Sequence, residues 1–302
     1  MFNLSASNQL SIRVSLLRTH PQVRSTKTRR TTAMGTGIQL FDESEFARLY
    51  RSPANGDGWV DVQQYRRLQE YVDDNPNTTI SGAARAVDIP RSRARLWLGD
   101  SRPNAVRGLD SAREHNWLPL TFDSPMVRPL TVLLSGIFSG GWVAHDYVPS
   151  FTVDVNERGV NKQIAEALHE AGAGLEVSPR QEGHVDIRKP ARDTGVLGRV
   201  LVCLGAPVGK KFEGDVQFPT WLFDAPSDVR EAFADLYVRN RGVIQDGVLC
   251  IREKRPDAYH ESLAAYLSAV SGERVTVSES GTVMCSVDAT KVLGATFEDV
   301  SA

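Results

Sequence analysis

Apolar residues recur at helical spacing in the first third of the chain. Residues 62–74 (VQQYRRLQEYVDD) place their apolar side chains on one face, and the Asn-Pro-Asn sequence that follows ends that helix. Residues 79–100 (TISGAARAVDIPRSRARLWLGD) then read as a short helix, a tight turn at Asp88 and a second helix that Pro90 can open. This order predicts a helix-turn-helix motif.

The second helix of this pair mixes inward apolar positions with outward basic ones. Ala94, Trp97 and Leu98 are predicted to face inward. The outward positions predicted to contact DNA are Arg91, Ser92, Arg93 and Arg95. A recognition helix fits the major groove, where an arginine can donate to two acceptors of one guanine. The competing interpretation is an ordinary helical hairpin with a solvated basic face.

From residue 128 the pattern changes to one that occurs twice. A helix that stops at a glycine turn (LLSGIFSGGW, residues 133–142) is followed by two alternating runs (residues 142–148 and 150–155), a helix, two further strands and a third helix. The same order returns from FADLYVRNRG, at residues 233–242, with hairpin turns signalled by Asp246-Gly247 and Ser280-Gly281. We therefore predict an α+β fold with two tandem α-β-β-α-β-β-α repeats after an all-α helix-turn-helix domain.

These patterns divide the chain into four parts. The predicted parts are a disordered basic tail at residues 1–36, a helix-turn-helix domain at 37–119, and repeats at 128–226 and 227–302. Residues 1–33 contain six basic residues and no acidic one. That composition is also typical of an organellar transit peptide, whereas a disordered or wrongly assigned extension before Met34 is the interpretation that we favour.

Composition excludes several classes of protein. No apolar run approaches the roughly 18 residues of a membrane helix, so we expect no membrane partner. Cys203, Cys250 and Cys285 lack paired spacing, which argues against a disulfide framework or a zinc site and for a reducing compartment. The six histidines are dispersed and nominate no metal cluster. We expect a cytoplasmic protein.

Residues 128–302 resemble a single-chain LAGLIDADG homing endonuclease of the archaeal type. LLSGIFSGGW and FADLYVRNRG have the form of its two signature helices, and residues 204–233 (LGAPVGKKFEGDVQFPTWLFDAPSDVREAF) are similar to its connecting block. The resemblance implies that the two helices pack through small residues, with Gly136 at that position in the first and Leu236 in the second. It also implies that each helix end supplies one carboxylate to a shared site, where divalent metals activate water.

The sequence departs from this family at the carboxylate positions, which fall on Gly141 and Arg241. Glycine offers no ligand, and arginine places a fixed positive charge where Mg²⁺ needs an oxygen. We therefore predict no catalytic residue, no metal ligand and no cofactor. Mg²⁺ enters only if a displaced acid, Asp146 or Asp235, restores ligation.

The remaining candidate residues are predicted DNA contacts. Lys210 and Lys211 match the place of a basic residue that assists catalysis in the family, and without the acids we interpret them as phosphate contacts. The resemblance also implies a saddle of two four-stranded sheets that straddles DNA. Polar residues alternate with apolar ones along its expected strands, so these could line the groove: Thr152 and Asp154; His184, Asp186 and Arg188; Arg252 and Lys254.

Three functions follow from these observations. The first is a double-stranded DNA-binding protein that does not cleave, a transcriptional regulator derived from a homing endonuclease, with homodimer formation through the helix-turn-helix domain. The second is a homing endonuclease that still makes metal-dependent double-strand cuts. The third is an interaction protein whose saddle binds another chain or a ligand.

Overall fold

The computed structural model describes residues 37–51, 56–153, 158–178, 186–209, 211 and 216–294. The predicted basic tail lies outside these residues. From Thr36 the chain forms one compact unit, and its mixture of helices and small antiparallel sheets confirms the predicted α+β class. Among the described helices, none has the length and apolar character needed to cross a membrane.

Among the described residues, five helices precede the repeats. Their bounds are α1 Glu43–Arg48, α2 Gly58–Asp74, α3 Ile80–Ala86, α4 Arg91–Trp97 and α5 Asn104–Glu114. The sequence analysis did not predict α1, which a reciprocal capping box between Asp42 and Glu45 starts. Thr79 caps α3 by accepting from Gly82 N at 3.1 Å. Asp88, at φ 53°, reverses the chain between α3 and α4, as the predicted tight turn requires.

The N-terminal helices divide between two hydrophobic cores. Helices α3 and α4 pack on α2 around a small core to which Leu68, Ala83 and Trp97 belong. Helices α1 and α5 contribute to the large core of the repeats instead, and Trp117 donates from Nε1 to the carbonyl of Ala171 at 3.0 Å. Whether residues 37–119 fold on their own stays a prediction.

The rest of the chain alternates helices with short hairpins. The first half contains α6 Val127–Ser139, β1 Trp142–Val143, β2 Pro149–Ser150, α7 Val160–Glu170, β3 Leu175–Ser178, β4 Ile187–Pro190 and α8 Thr194–Cys203. A 3-10 turn at Thr220–Asp224 leads into the second half. That half contains α9 Ser227–Arg241, β5 Gly242–Gln245, β6 Val248–Ile251, α10 Asp257–Ser271, β7 Val275–Val277, β8 Val283–Cys285 and α11 Val287–Gly294.

Both halves order their strands in the same way. The second half has one four-stranded antiparallel sheet, in the order β5-β6-β8-β7. In the first half the β1-β2 and β3-β4 hairpins are joined where Phe151 and Arg188 exchange backbone hydrogen bonds of 2.9 and 3.0 Å, which gives the order β1-β2-β4-β3. The element order predicted from the sequence is therefore present.

The first hairpin is shorter than predicted. Residues 142–148 were expected to form one strand, but β1 ends at Val143. The chain then turns, since Ala144 and Val148 are joined by a backbone hydrogen bond of 3.1 Å and Tyr147 has φ 68°. Alternation of apolar and polar residues does not by itself distinguish a strand from a turn whose side chains contact the core.

Helices α6 and α9 pack side by side at the centre. Every residue of α6 except Arg128 is buried. Ser135 donates from Oγ to the carbonyl of Phe233 in α9 at 2.8 Å. The prediction that Gly136 provides the close contact with α9 is wrong, because a β-carbon there would lie 2.5 Å from Ile164 in α7 and 3.1 Å from Phe151. The small residue is needed where α6 crosses α7 and the sheet.

Candidate nucleic-acid interface

Helix α4 presents three of its four predicted contact residues to solvent. Pro90 stands at its N-cap, and Ala94 and Trp97 are buried against α2 and α3, as predicted. The exposed residues of the predicted set are Arg91, Ser92 and Arg95. This surface can offer two guanidinium groups and a hydroxyl to a groove.

The fourth residue, Arg93, faces the protein, so the prediction that it projects outward is wrong. It donates from one terminal nitrogen to Gln64 Oε1 at 2.9 Å, and that nitrogen lies 3.9 Å from Asp61 in α2. Its guanidinium carbon lies 5.3 Å from the ring centroid of Trp97, one turn further along α4. Only 17% of its side chain is exposed. Arg93 therefore joins α4 to α2 rather than extending towards a partner.

Three basic side chains donate hydrogen bonds to the carbonyl groups at the end of α6. A helix leaves its last carbonyl groups without partners inside the helix and carries a partial negative charge there. The donors are Lys211 Nζ to Ile137 (2.6 Å), Arg255 to Phe138 (2.6 Å) and Arg241 Nε to Ser139. We refer to Lys211, Arg241 and Arg255 as the helix-end cations. They lie where α6 and α9 end beside each other.

One buried acid accompanies these cations. Glu253 lies 3.3 Å from Arg255, and their side chains are 8% and 3% exposed. Tyr237 of α9 donates its hydroxyl to Glu253 and lies 3.0 Å from the hydroxyl of Tyr259. Burial, reinforced by Glu253, raises the pKa of Tyr237 well above its ordinary value, so this hydroxyl keeps its proton. The result is a buried polar network that joins α9 to α10 and to the segment after β6.

The residues at this junction do not fit a divalent metal. Arg241, at one predicted carboxylate position, donates to the end of α6. At the other, a β-carbon on Gly141 would lie 2.5 Å from the carbonyl oxygen of Ser150, so any larger residue requires the backbone to shift. A metal there would meet the guanidinium groups of Arg241 and Arg255, and the Glu253 carboxylate is already paired with Arg255 and Tyr237. An acid cannot be restored at residue 141 by simple replacement.

The two displaced acids do not approach the helix ends. Asp235 accepts from Arg239 at 2.8 Å and from Gln163 at 2.6 Å, on the side of α9. Asp146 is exposed in the turn between β1 and β2 and accepts from Val148 N at 3.2 Å. Within the described part of the chain, no three His, Cys, Asp or Glu side chains come together as a metal site would need.

The sheet surface keeps part of its predicted contact set. Arg252 and Lys254 are exposed just beyond β6, beside the β7–β8 turn. Thr152 donates to the carbonyl of Gly140 at 3.1 Å. Asp186 is half-buried just before β4. The predicted contacts Asp154, His184 and Lys210 lie outside the described residues.

Arg188 does not share a face with Thr152, so the predicted set is wrong at this position. Arg188 is directly opposite Phe151, whose side chain is fully buried, and opposite residues of antiparallel strands point to the same face. Thr152, the next residue, points to the other face. One guanidinium nitrogen of Arg188 is accordingly buried. Alternation along each run did not fix the register between the two runs.

Lys211 makes stability depend on pH. Burial, together with Arg255 and Arg241, lowers the pKa of Lys211 from 10.5 to about 7. Below the lowered pKa both folded and unfolded chains carry the proton, and the cost of burying the charge is fully present. Between the two values the unfolded chain binds more protons, so this group makes stability rise with pH, until the cost is gone above the ordinary pKa.

We therefore expect Lys211→Met to remove part of this rise. Urea unfolding measured from about pH 6 to about pH 10 gives the free energy of unfolding of each chain. The difference between Lys211→Met and the parent should favour the variant most at the acidic end and least at the alkaline end. Lys162→Met is the matched control, because the Lys162 side chain is 81% exposed. A constant difference between parent and Lys211→Met over this range would contradict the assignment.

Comparison of the chain with protein-family models and with curated proteins finds no match. The resemblance stated above therefore depends on the residues and on the order of the elements alone.

Proposed function

We propose that this protein binds double-stranded DNA without cutting it and acts as a transcriptional regulator, with a helix-turn-helix motif joined to a LAGLIDADG-type repeat. Two features support the architecture. The pair α3 and α4 packs around Ala83, Ala84 and Trp97 with the reading surface of α4 outside. The two halves that follow share one element order and one strand order.

The observation that carries the absence of cleavage is the set of helix-end cations. A metal-dependent nuclease needs oxygen ligands that hold the metal at the scissile bond. Here Lys211, Arg241 and Arg255 hold the place where α6 and α9 end, and each donates to a carbonyl of the last turn of α6. The guanidinium groups of Arg241 and Arg255 repel Mg²⁺, and Lys211 adds to this repulsion below its lowered pKa. In this proposal the two central helices keep the packing of the family but lack the metal ligands that cleavage requires.

Helix α4 is the element that we assign to sequence reading. Arg91 and Ser92 occupy its first turn, the part of a recognition helix that reaches base edges. Arg91→Ala should therefore weaken specific binding by about 1–3 kcal/mol and relax the preference at one base pair. Affinities for a duplex selected from a randomised pool, and for its single-base variants, measure both effects.

Arg93→Ala is the matched control on the same helix. Because Arg93 is bonded to α2, its loss should lower the melting temperature and leave the ranking of single-base variants unchanged. Equal base preferences in the parent and in Arg91→Ala would show that α4 is not the reader. Loss of base discrimination in Arg93→Ala without loss of stability would contradict the structural role of that residue.

A further inference from the structure

A basic cleft lies between the end of α4 and the start of α5. It measures about 580 Å³ and is open to solvent. Three arginines line it: Arg95 from α4, Arg102 from the loop that follows and Arg107 from α5. Asp100 is the one acidic residue in the lining, so the cleft carries a net positive charge. We refer to it as the α4–α5 cleft.

The arginines of the cleft are held only lightly. Arg102 lies 3.0 Å from Asp110, in a pair whose side chains are 57% and 37% exposed. Arg107 donates to Asn104 Oδ1 at 2.5 Å. Exposed pairs of this kind contribute little to stability, so their guanidinium groups can turn towards an incoming anion at low cost. A guanidinium group matches two oxygens of a phosphate at once.

The backbone around the cleft favours the same ligand. Helix α5 begins there, and no side chain caps its first turn. The N–H groups of an uncapped first turn can donate to an anion, which the partial positive charge of the helix end also attracts. Ser101 and Asn104, both exposed, add a hydroxyl and an amide. Guanidinium groups, backbone N–H groups at a helix start, an amide and a hydroxyl together can form the donor set of a phosphate site.

We propose that the α4–α5 cleft binds a phosphate of the DNA backbone beside the base pairs that α4 reads. This inference rests on the proposed function. Arg95 belongs to both surfaces, since it is exposed on α4 and lines the cleft. Contacts with phosphates fix the register of a protein on a duplex and carry no base preference themselves. The cleft therefore supplies affinity and position, whereas Arg91 supplies sequence preference.

The test compares the double variant Arg102→Ala with Arg107→Ala against a matched pair, Lys162→Ala with Lys291→Ala. Both pairs remove two positive charges, and the lysine side chains are 81% and 70% exposed on other helices. Fluorescence anisotropy gives the affinity for two unrelated duplexes from about 50 to about 200 mM KCl. The slope of log affinity against log salt should fall by about 0.9 for each DNA phosphate that the variant no longer neutralises. Affinity should fall equally on both duplexes, with the lysine pair unchanged.

A second arm uses inorganic phosphate and distinguishes the sources of the ligand. Amide NMR shifts of Gly99 and Ser101 are followed during titration with phosphate against chloride at constant ionic strength. Phosphate-specific shifts that the arginine variant loses, in a protein that binds no DNA, would overturn the proposed function and assign the cleft to a free phosphate ligand. If the arginine variant keeps both the salt slope and the phosphate-induced shifts of the parent, the cleft does not bind phosphate, even if the parent binds DNA.

Discussion

Replacing Arg255 with methionine is expected to destabilise the protein by about 3–5 kcal/mol, although Arg255 lies outside every regular element. The variant leaves Glu253 buried without its cation, and the carbonyl groups of Phe138 and Lys211 lose the guanidinium that now donates to them at 2.6 and 3.2 Å. A buried charge without its partner keeps its desolvation cost and loses the compensation. Urea unfolding at neutral pH measures the difference.

Arg252→Met is the matched control, three residues earlier in the same segment. Arg252 is exposed and donates to the exposed Gln245 at 2.6 Å, so its loss should change stability by less than about 0.5 kcal/mol. Comparing the two variants therefore separates the effect of removing a buried, paired charge from that of removing an exposed charge.

The pairing itself is tested by adding Glu253→Gln to Arg255→Met. Without the carboxylate, the loss of the guanidinium no longer leaves an uncompensated charge, so the double variant should be less destabilised than the sum of the single variants. Strict additivity, or equal losses in Arg255→Met and Arg252→Met, would contradict the buried network.

Much of the fold could be predicted because local signals agree with tertiary structure. The hairpin turn after β5 is an example, since Asp246 and Gly247 both adopt positive φ, at 52° and 78°. Helix α6 reads as apolar all round because it is buried all round. Helix α1 was missed because its signal is a capping box of two acids, which resembles an ordinary polar surface until the cap is seen.

The candidate site was less accessible from the sequence. Alternation placed Arg252 and Lys254 outside, and by the same rule it placed Glu253 and Arg255 inside. That pair of buried opposite charges was the available signal for the network, and it was overlooked. The partners of Arg255 could not be predicted, since Phe138 is more than a hundred residues away and the contact depends on how α6 and α9 pack.

Arg93 illustrates a different limit. On a helical projection it is as external as its neighbours, and only the position of α2 brings Gln64 within 2.9 Å of its guanidinium. The junction of α6 and α9 is similar, because the lack of space at Gly141 depends on the carbonyl of Ser150 in the adjoining strand. Sequence patterns can nominate a residue type for a role, but the neighbour that occupies or blocks the position belongs to the tertiary structure.

Under the proposed function, the helix-end cations lie where a nuclease would hold its metals. The most direct measurement incubates the unmodified protein with its selected duplex in EDTA, Mg²⁺ or Mn²⁺ at constant ionic strength, and follows binding and strand integrity together. We predict the same affinity in all three conditions and intact strands throughout, because Arg241 and Arg255 hold the end of α6 and Arg255 pairs with the acid beside it. Metal-dependent cutting at a defined position would contradict the proposed function.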